Sequence, residues 1–311
     1  MVTTDLIVDI KTQMQARFQM HDLGTVSFYL GMNIERNRNL CTIDIHQHAY
    51  IKMILEKFGM DKAKTVATPI AIKLHKRTPD EEPCDQKLYQ SMIGSLMYAI
   101  AATRPDIAFA IGVLSRYSHD PSKEHMVAVK RAFRYLNGTK HWKLRIGGES
   151  NNIFCYVDSD YAGDPDDYKS TSRLVVTFGG AVDWRSQKQK STAQSTTDAE
   201  YYAFGVGCMR LTQIIHLMEE LGIDCKPKIL TDSQSMLASI KGRIYRGTAV
   251  IRMATKYHLA ADMVRDGEVE MEYISSDEMI ADMFTKELLK PSLLKQCMSM
   301  GMIGIGSGSE V

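Results

Sequence analysis

With 311 residues and a formal net charge of +1, the chain is long enough for two or three cored units and lacks the basic excess of an obvious nucleic-acid binder. Nucleic-acid binding stays open, because local charge distribution sets an electrostatic footprint. No uninterrupted apolar stretch reaches the ~18 residues of a membrane span. The N-terminus carries Asp5 and Asp9 without a basic signal-peptide region. Cys41, Cys84, Cys155, Cys208, Cys225 and Cys297 are scattered with no CxxC pair, which fits reduced thiols inside a cell better than disulfides or zinc.

The first unit is expected over residues 1–78. Residues 10–18 read as a helix. VSFYLGMNIERNRNLCTIDI reads as a hairpin around Asn37 to Asn39. Residues 49–58 form a short amphipathic helix, with Tyr50, Ile54 and Phe58 at helical spacing. A polar linker with Pro79 and Pro83 opens a second unit over 79–148, helical from 88 to 137. SMIGSLMYAIAA is apolar nearly all round and should be buried. Asp120 before Pro121 reads as a helix cap. Met126, Val129, Phe133 and Leu136 then form one stripe, with Lys130, Arg131 and Arg134 away from it. That basic face is either solvated or a track for phosphates.

Gly147 and Gly148 mark the start of a third unit over 149–291. Strands are expected at 153–157, 173–178, 181–184, 228–231 and 268–274. Helices are expected at 197–221, 234–240, 254–264 and 277–289. Three neighbouring strands followed by alternating helices and strands suggest an α/β unit, a mixed five-stranded sheet with flanking helices. The segment 292–311 reads as a flexible tail, frayed from Ser299 onward.

Carboxylates stand where they are costly. Asp158, Asp160, Asp164, Asp166 and Asp167 crowd the end of the apolar run FCYV. Asp158 ends one strand and Asp232 another. Glu200 shares a helix face with Ala203, Phe204, Gly207, Leu211, Ile214 and Met218, and Asp282 sits beside Met279 and Met283. A glutamate on an apolar stripe is expensive unless paired or metal-bound. If the strands of Asp158 and Asp232 are neighbours, the helices can bring Glu200 and Asp282 above them. Such a cluster repels itself, and hard oxygen ligands suit two Mg2+ ions, or Mn2+. Two ions would activate water and stabilise the leaving oxygen of a phosphodiester. No cysteine or histidine lies beside these carboxylates in sequence, which disfavours zinc.

YVDSDYAGD, VDWRSQKQKSTAQSTTDAEYYA, ILTDSQS and IADMFTK resemble the ribonuclease H domain of copia-type (Ty1/copia) retrotransposon Pol polyproteins. FQMHDLGTVSFYLGMNI, SMIGSLMYAIAATRPDIAFAI and KRAFRYLNGT resemble the end of its reverse transcriptase, a partial palm and thumb, and the helical connection that follows. The resemblance implies a ribonuclease H-like fold that cuts the RNA strand of an RNA–DNA hybrid by two-metal hydrolysis. It implies that Asp158, Glu200, Asp232 and Asp282 are catalytic and metal-binding. Asp160 belongs to the same motif and is expected to point away from the metals. Trp184, Ser186, Lys188 and Gln189 match the motif after the third strand, with Trp184 read as core. Lys188 and Lys190 join Lys130, Arg131 and Arg134 as candidate nucleic-acid contacts. Implied partners are the hybrid and other products of the element's polyprotein, in the cytoplasm, the nucleus or a virus-like particle, with no membrane.

The sequence also departs from the family pattern. Arg173 stands where the family usually has Gly, and Asp198 where it usually has Glu. VIRM at 250–253 replaces a Thr-Lys-His-Ile phrase, so a Lys-His pair is missing; His258 reads as a buried, satisfied histidine. Residues 1–9 lack the strand-borne Asp-Asp pair of a polymerase, so polymerisation is not expected. The competing expectation is an inactive remnant with at most nonspecific nucleic-acid binding.

Overall fold

The computed structural model describes residues 4–72, 74–164, 167–190, 192–193, 195–242, 262–284 and 288–304. The VIRM segment, His258 and most of the helix expected at 254–264 lie outside these residues.

Among the described residues, two five-stranded sheets organise the fold. The first has β1 (Phe28–Tyr29), β2 (Met32–Asn37), β3 (Thr42–His46), β4 (Lys143–Gly147) and β10 (Met302–Ile303), in that order and antiparallel throughout. The hairpin expected near Asn37 is β2–β3. β4 and β10 extend it, so the tail is ordered through Gly304 where fraying was expected. Backbone bonds fix it there: Arg145 N–H donates to Gly301 O at 2.9 Å, and Ala181 N–H to Met300 O at 2.8 Å.

The second sheet has the order β7-β6-β5-β8-β9. β5 (Asn152–Asp160), β6 (Thr171–Thr177) and β7 (Ala181–Lys188) form an antiparallel meander, while β8 (Lys226–Thr231) and β9 (Glu270–Tyr273) run parallel to β5. This is the mixed five-stranded sheet with flanking helices that the resemblance implies.

Between and around the sheets lie α1 (Thr4–Arg17), α2 (His48–Lys57), α3 (Gln86–Ala102), α4 (Ala108–Ser115), α5 (Lys123–Gly138), α6 (Thr196–Glu220) and α7 (Gln234–Gly242). Asp85 caps α3 by accepting from Leu88 N–H at 3.0 Å. The cap of α5 is Ser122, not Asp120. Ser122 exchanges bonds with His125, whereas the Asp120 carboxylate pairs with Arg77 at 2.9 Å. In place of the helix expected at 277–289, the described residues up to Phe284 form two 3-10 turns, Ser276–Glu278 and Ile280–Phe284; residues 285–287 lie outside the described residues. Met279, Ile280, Ala281, Met283 and Phe284 are buried while Asp277 and Glu278 are exposed, so consecutive apolar side chains of the second turn are packed into the core.

The β5–β6–β8 sheet separates two cores. Ile153, Cys155 and Val157 face α6, where they meet Phe204, Cys208 and Leu211. Tyr156 and Val175 face the opposite core, shared with α3, α4, α5 and the Ile280–Phe284 turn. α6 approaches the sheet closely at Gly207, where a β-carbon would come within 2.5 Å of Val157 Cγ1 and 3.3 Å of Cys155 Sγ. Gly207→Ala is therefore expected to cost up to about 2 kcal/mol net. Overpacking of ~1–3 kcal/mol is offset by the ~1 kcal/mol gained in helix propensity, and a contact as close as 2.5 Å puts it toward the upper end. A lowered denaturation midpoint with an unchanged denaturant slope checks it.

Candidate active site

β5 and β8 are parallel neighbours, with Tyr156 opposite Leu230. Carrying that register forward places Asp158 beside Asp232, the residue after β8. Glu200 comes from the first turns of α6, whose cap is Ser195; its hydroxyl accepts from Asp198 N–H at 3.1 Å. Gln189 holds this helix to the sheet, donating from its side-chain amide to Ala199 O at 3.0 Å and to Ser172 Oγ at 2.8 Å. Asp282 rides on the Ile280–Phe284 turn, which packs against β5 and β6. Ser276, on the preceding turn, donates to Asp232 Oδ2 at 2.8 Å. The four carboxylates picked out in the sequence thus collect at one end of the sheet.

Their charges interact. Burial raises the Asp158 pKa, Arg173 opposes that rise, and the nearby negative charges of Asp282 and Asp232 add to it. Burial is also the main cause at Glu200, whose carboxyl is pushed up to about 8, with Asp158 and Asp232 contributing. Ser159 lies beside Glu200 and favours its charged form. Neither Ser159 Oγ nor the buried Glu200 Oε2 has a hydrogen-bond partner of good geometry. The cluster is not a tight cage. Among the described residues, the trio whose ligand atoms all lie within 4.8 Å of one another is His75, Glu81 and Glu124, elsewhere on the chain.

Among the described residues, Arg173 places a cation within the cluster. It lies opposite Asp158 across the β5–β6 ladder and is only 3% exposed. Its Nη1 donates to Asp158 Oδ2 at 2.9 Å and its Nη2 reaches Asp160 Oδ2 at 3.0 Å. Burial pushes the guanidinium's pKa down against these partners, yet an arginine remains charged. The same contacts correct the expectation for Asp160. Residues two apart on a strand share a face, so Asp160 points the same way as Asp158 and shares its guanidinium.

The expected nucleic-acid contacts are placed less uniformly. Lys130 and Lys190 are exposed. Arg131 Nη2 donates to Thr68 Oγ1 at 3.0 Å, and Arg134 Nε to Lys64 O at 2.6 Å, so both brace the preceding loop. Lys188 is held at 2.8 Å by both Asp164 and Asp167. Trp184 packs against the first core and donates its indole N–H to Ile100 O at 3.1 Å. Ser186 donates to Phe284 O at 3.3 Å, tying β7 to the turn that carries Asp282.

Residues 2–72 match the family model described as reverse transcriptase (RNA-dependent DNA polymerase). The chain is 40% identical over 290 residues to the Retrovirus-related Pol polyprotein from transposon TNT 1-94 of Nicotiana tabacum, covering 90% of this chain and 22% of that protein. It is 32% identical over 294 residues to the Pol polyprotein from transposon RE1 of Arabidopsis thaliana, covering 92% of this chain and 20% of that protein. The chain belongs to the Pol polyproteins of Ty1/copia-type retrotransposons. It spans about a fifth of the length of these curated relatives. Among solved structures, the ribonuclease H1 LC11-RNase H1, isolated from compost, aligns at 17% identity and a TM-score of 0.35, covering 43% of this chain and 92% of that one.

Whether a metal suits this part of the Pol chain can be judged from its donors. All are hard carboxylate oxygens, and the unpartnered buried Glu200 Oε2 is an acceptor awaiting a cation or a proton. Both features fit magnesium or manganese. Cys155 and Cys208 are buried on the α6 side of the sheet with their thiols pushed far up by burial, so they are core and not ligands. Reading the sequence missed the ion pairs of Arg173 and the bond from Ser276. The departure at position 173 was the available signal for the first; its cross-strand register was not legible. Nothing marked Ser276.

Proposed function

We propose that this chain hydrolyses the RNA strand of an RNA–DNA hybrid, with Asp158, Glu200, Asp232 and Asp282 as its catalytic carboxylates. The reading is supported above all by their collection at one end of the β5–β8 pair, although they lie far apart in sequence. Two divalent ions, when bound, would supply water activation and charge neutralisation at the leaving oxygen. The four carboxylates would hold them. Glu200, protonated near neutral pH in the bare cluster, holds a proton at a carboxyl oxygen and would have to release it to solvent before serving as a carboxylate ligand. Ser276 orients Asp232. Exposed Lys130 and Lys190 can meet phosphates without giving up the bonds that occupy Arg131, Arg134 and Lys188.

The test is cleavage of a hybrid labelled in its RNA strand, at saturating manganese or magnesium. Asp232→Asn should lower the rate by about 10²-fold or more, because one anionic oxygen is lost where charge must be balanced. Equal rates in the two proteins would remove the assignment. The alternative, an inactive remnant, is favoured by the buried Arg173 against Asp158 and is met by the inference below.

A further inference from the structure

We propose that Arg173 is a built-in competitor for divalent metal: its guanidinium occupies the cation position against Asp158, and metal enters only as this ion pair opens. The inference rests on the reading of the four carboxylates as a metal site and concerns how that site is controlled.

Three observations carry it. The first is position. Arg173 and Asp158 are directly paired residues on adjacent antiparallel strands, and β6 is hydrogen-bonded on both sides, to β5 and β7. The backbone therefore cannot carry the arginine away, and only side-chain rotation can clear the site. The second is the choice of partners. The guanidinium reaches Asp158 and Asp160 together, and Asp282 also acts on it through space. It thus sits among the charges that a metal would neutralise. The third is that the fit is incomplete. Arg173 Nε is buried without a hydrogen-bond partner, and so is Glu200 Oε2 across the cluster. A pair built only for stability is expected to satisfy its polar atoms. Arg104 in the first core shows the contrast: its Nε, Nη1 and Nη2 all donate to protein oxygens.

Arginine cannot yield by losing its proton. Displacement must cost the whole ion pair, and apparent metal affinity falls by the fraction of time the pair is open. Lysine at 173 would keep the charge; glutamine would remove it at similar length.

Manganese binding, followed by the electron paramagnetic resonance of the free ion, separates the possibilities. Arg173→Gln should bind at least about tenfold more tightly than the unaltered chain, and Arg173→Lys should stay within about threefold of it. If Arg173→Gln binds no more tightly while Asp232→Asn weakens binding, the competition is overturned and the metal site stands. If none of these proteins binds manganese, the metal site fails and the competition with it. Should Arg173→Gln not fold, the unaltered chain still decides. The Arg173 Nε–Hε resonance should move as magnesium is added, and an unmoved resonance at saturating magnesium overturns the proposal.

Discussion

Arg104→Met is expected to destabilise the protein by about 3–5 kcal/mol, the usual cost of stranding one member of a buried charge pair. Arg104 is 1% exposed, and Asp106 is 3% exposed. The guanidinium binds Asp106 through Nε at 2.9 Å and Nη2 at 2.6 Å, and reaches Thr139 O at 3.1 Å and Thr139 Oγ1 at 2.6 Å. Tyr135 and Trp142 present their rings to it at 5.8 and 5.7 Å. These contacts join the turn between α3 and α4 to the end of α5, in the core that also holds Met279, Ile280 and Phe284. Methionine fills much of the volume but leaves the Asp106 carboxylate without a cation. The double variant Arg104→Met/Asp106→Leu should recover much of the loss, since it removes the stranded charge. Denaturant unfolding of the single and double variants measures both. A single-variant loss under ~1 kcal/mol would show that the pair contributes little.

How much of this was legible in the sequence depended on range. Asp158 and Asp232 could be found because each follows a short apolar run, and Glu200 because an acid interrupts a helical stripe. The β2–β3 hairpin is local, and its turn is written in Asn37 to Asn39. β4 and β10 were not legible. β4 pairs with residues about a hundred positions away, and five-residue KLRIG has no distinctive period. The two-residue β10 exists only through its pairing with β4. The helix expected around Asp282 failed because packing of Met279, Ile280, Ala281, Met283 and Phe284 into the core overrode local propensity. Asp160 was misplaced by a wrong face, although the strand period was already sufficient to put it beside Asp158.

Glu200→Gln is expected to move activity and stability in opposite directions. Within the fold the Glu200 carboxyl holds its proton up to about pH 8, against an ordinary value of 4.5. Between those values the folded chain binds more protons than the unfolded chain, so stability falls as pH rises. The contribution is intact below about pH 4.5 and is lost once pH has climbed through about 8. The loss is on the order of 1–3 kcal/mol, since Glu200 keeps some contact with solvent and part of the shift is screened. Glutamine has nearly the same shape and no charge to desolvate. In the absence of metal, the variant should therefore melt higher than the unaltered chain at pH 8 and match it near pH 4.5. Its melting temperature should also change less with pH across that window. Hybrid cleavage should fall by about 10²-fold or more, because an amide cannot supply the negative oxygen that a cation requires. Melting curves at several pH values, set beside cleavage rates, test both halves. Parallel pH profiles for the two proteins would show that Glu200 is not held in a charge-poor setting, and would withdraw the reading of it as a buried member of the cluster.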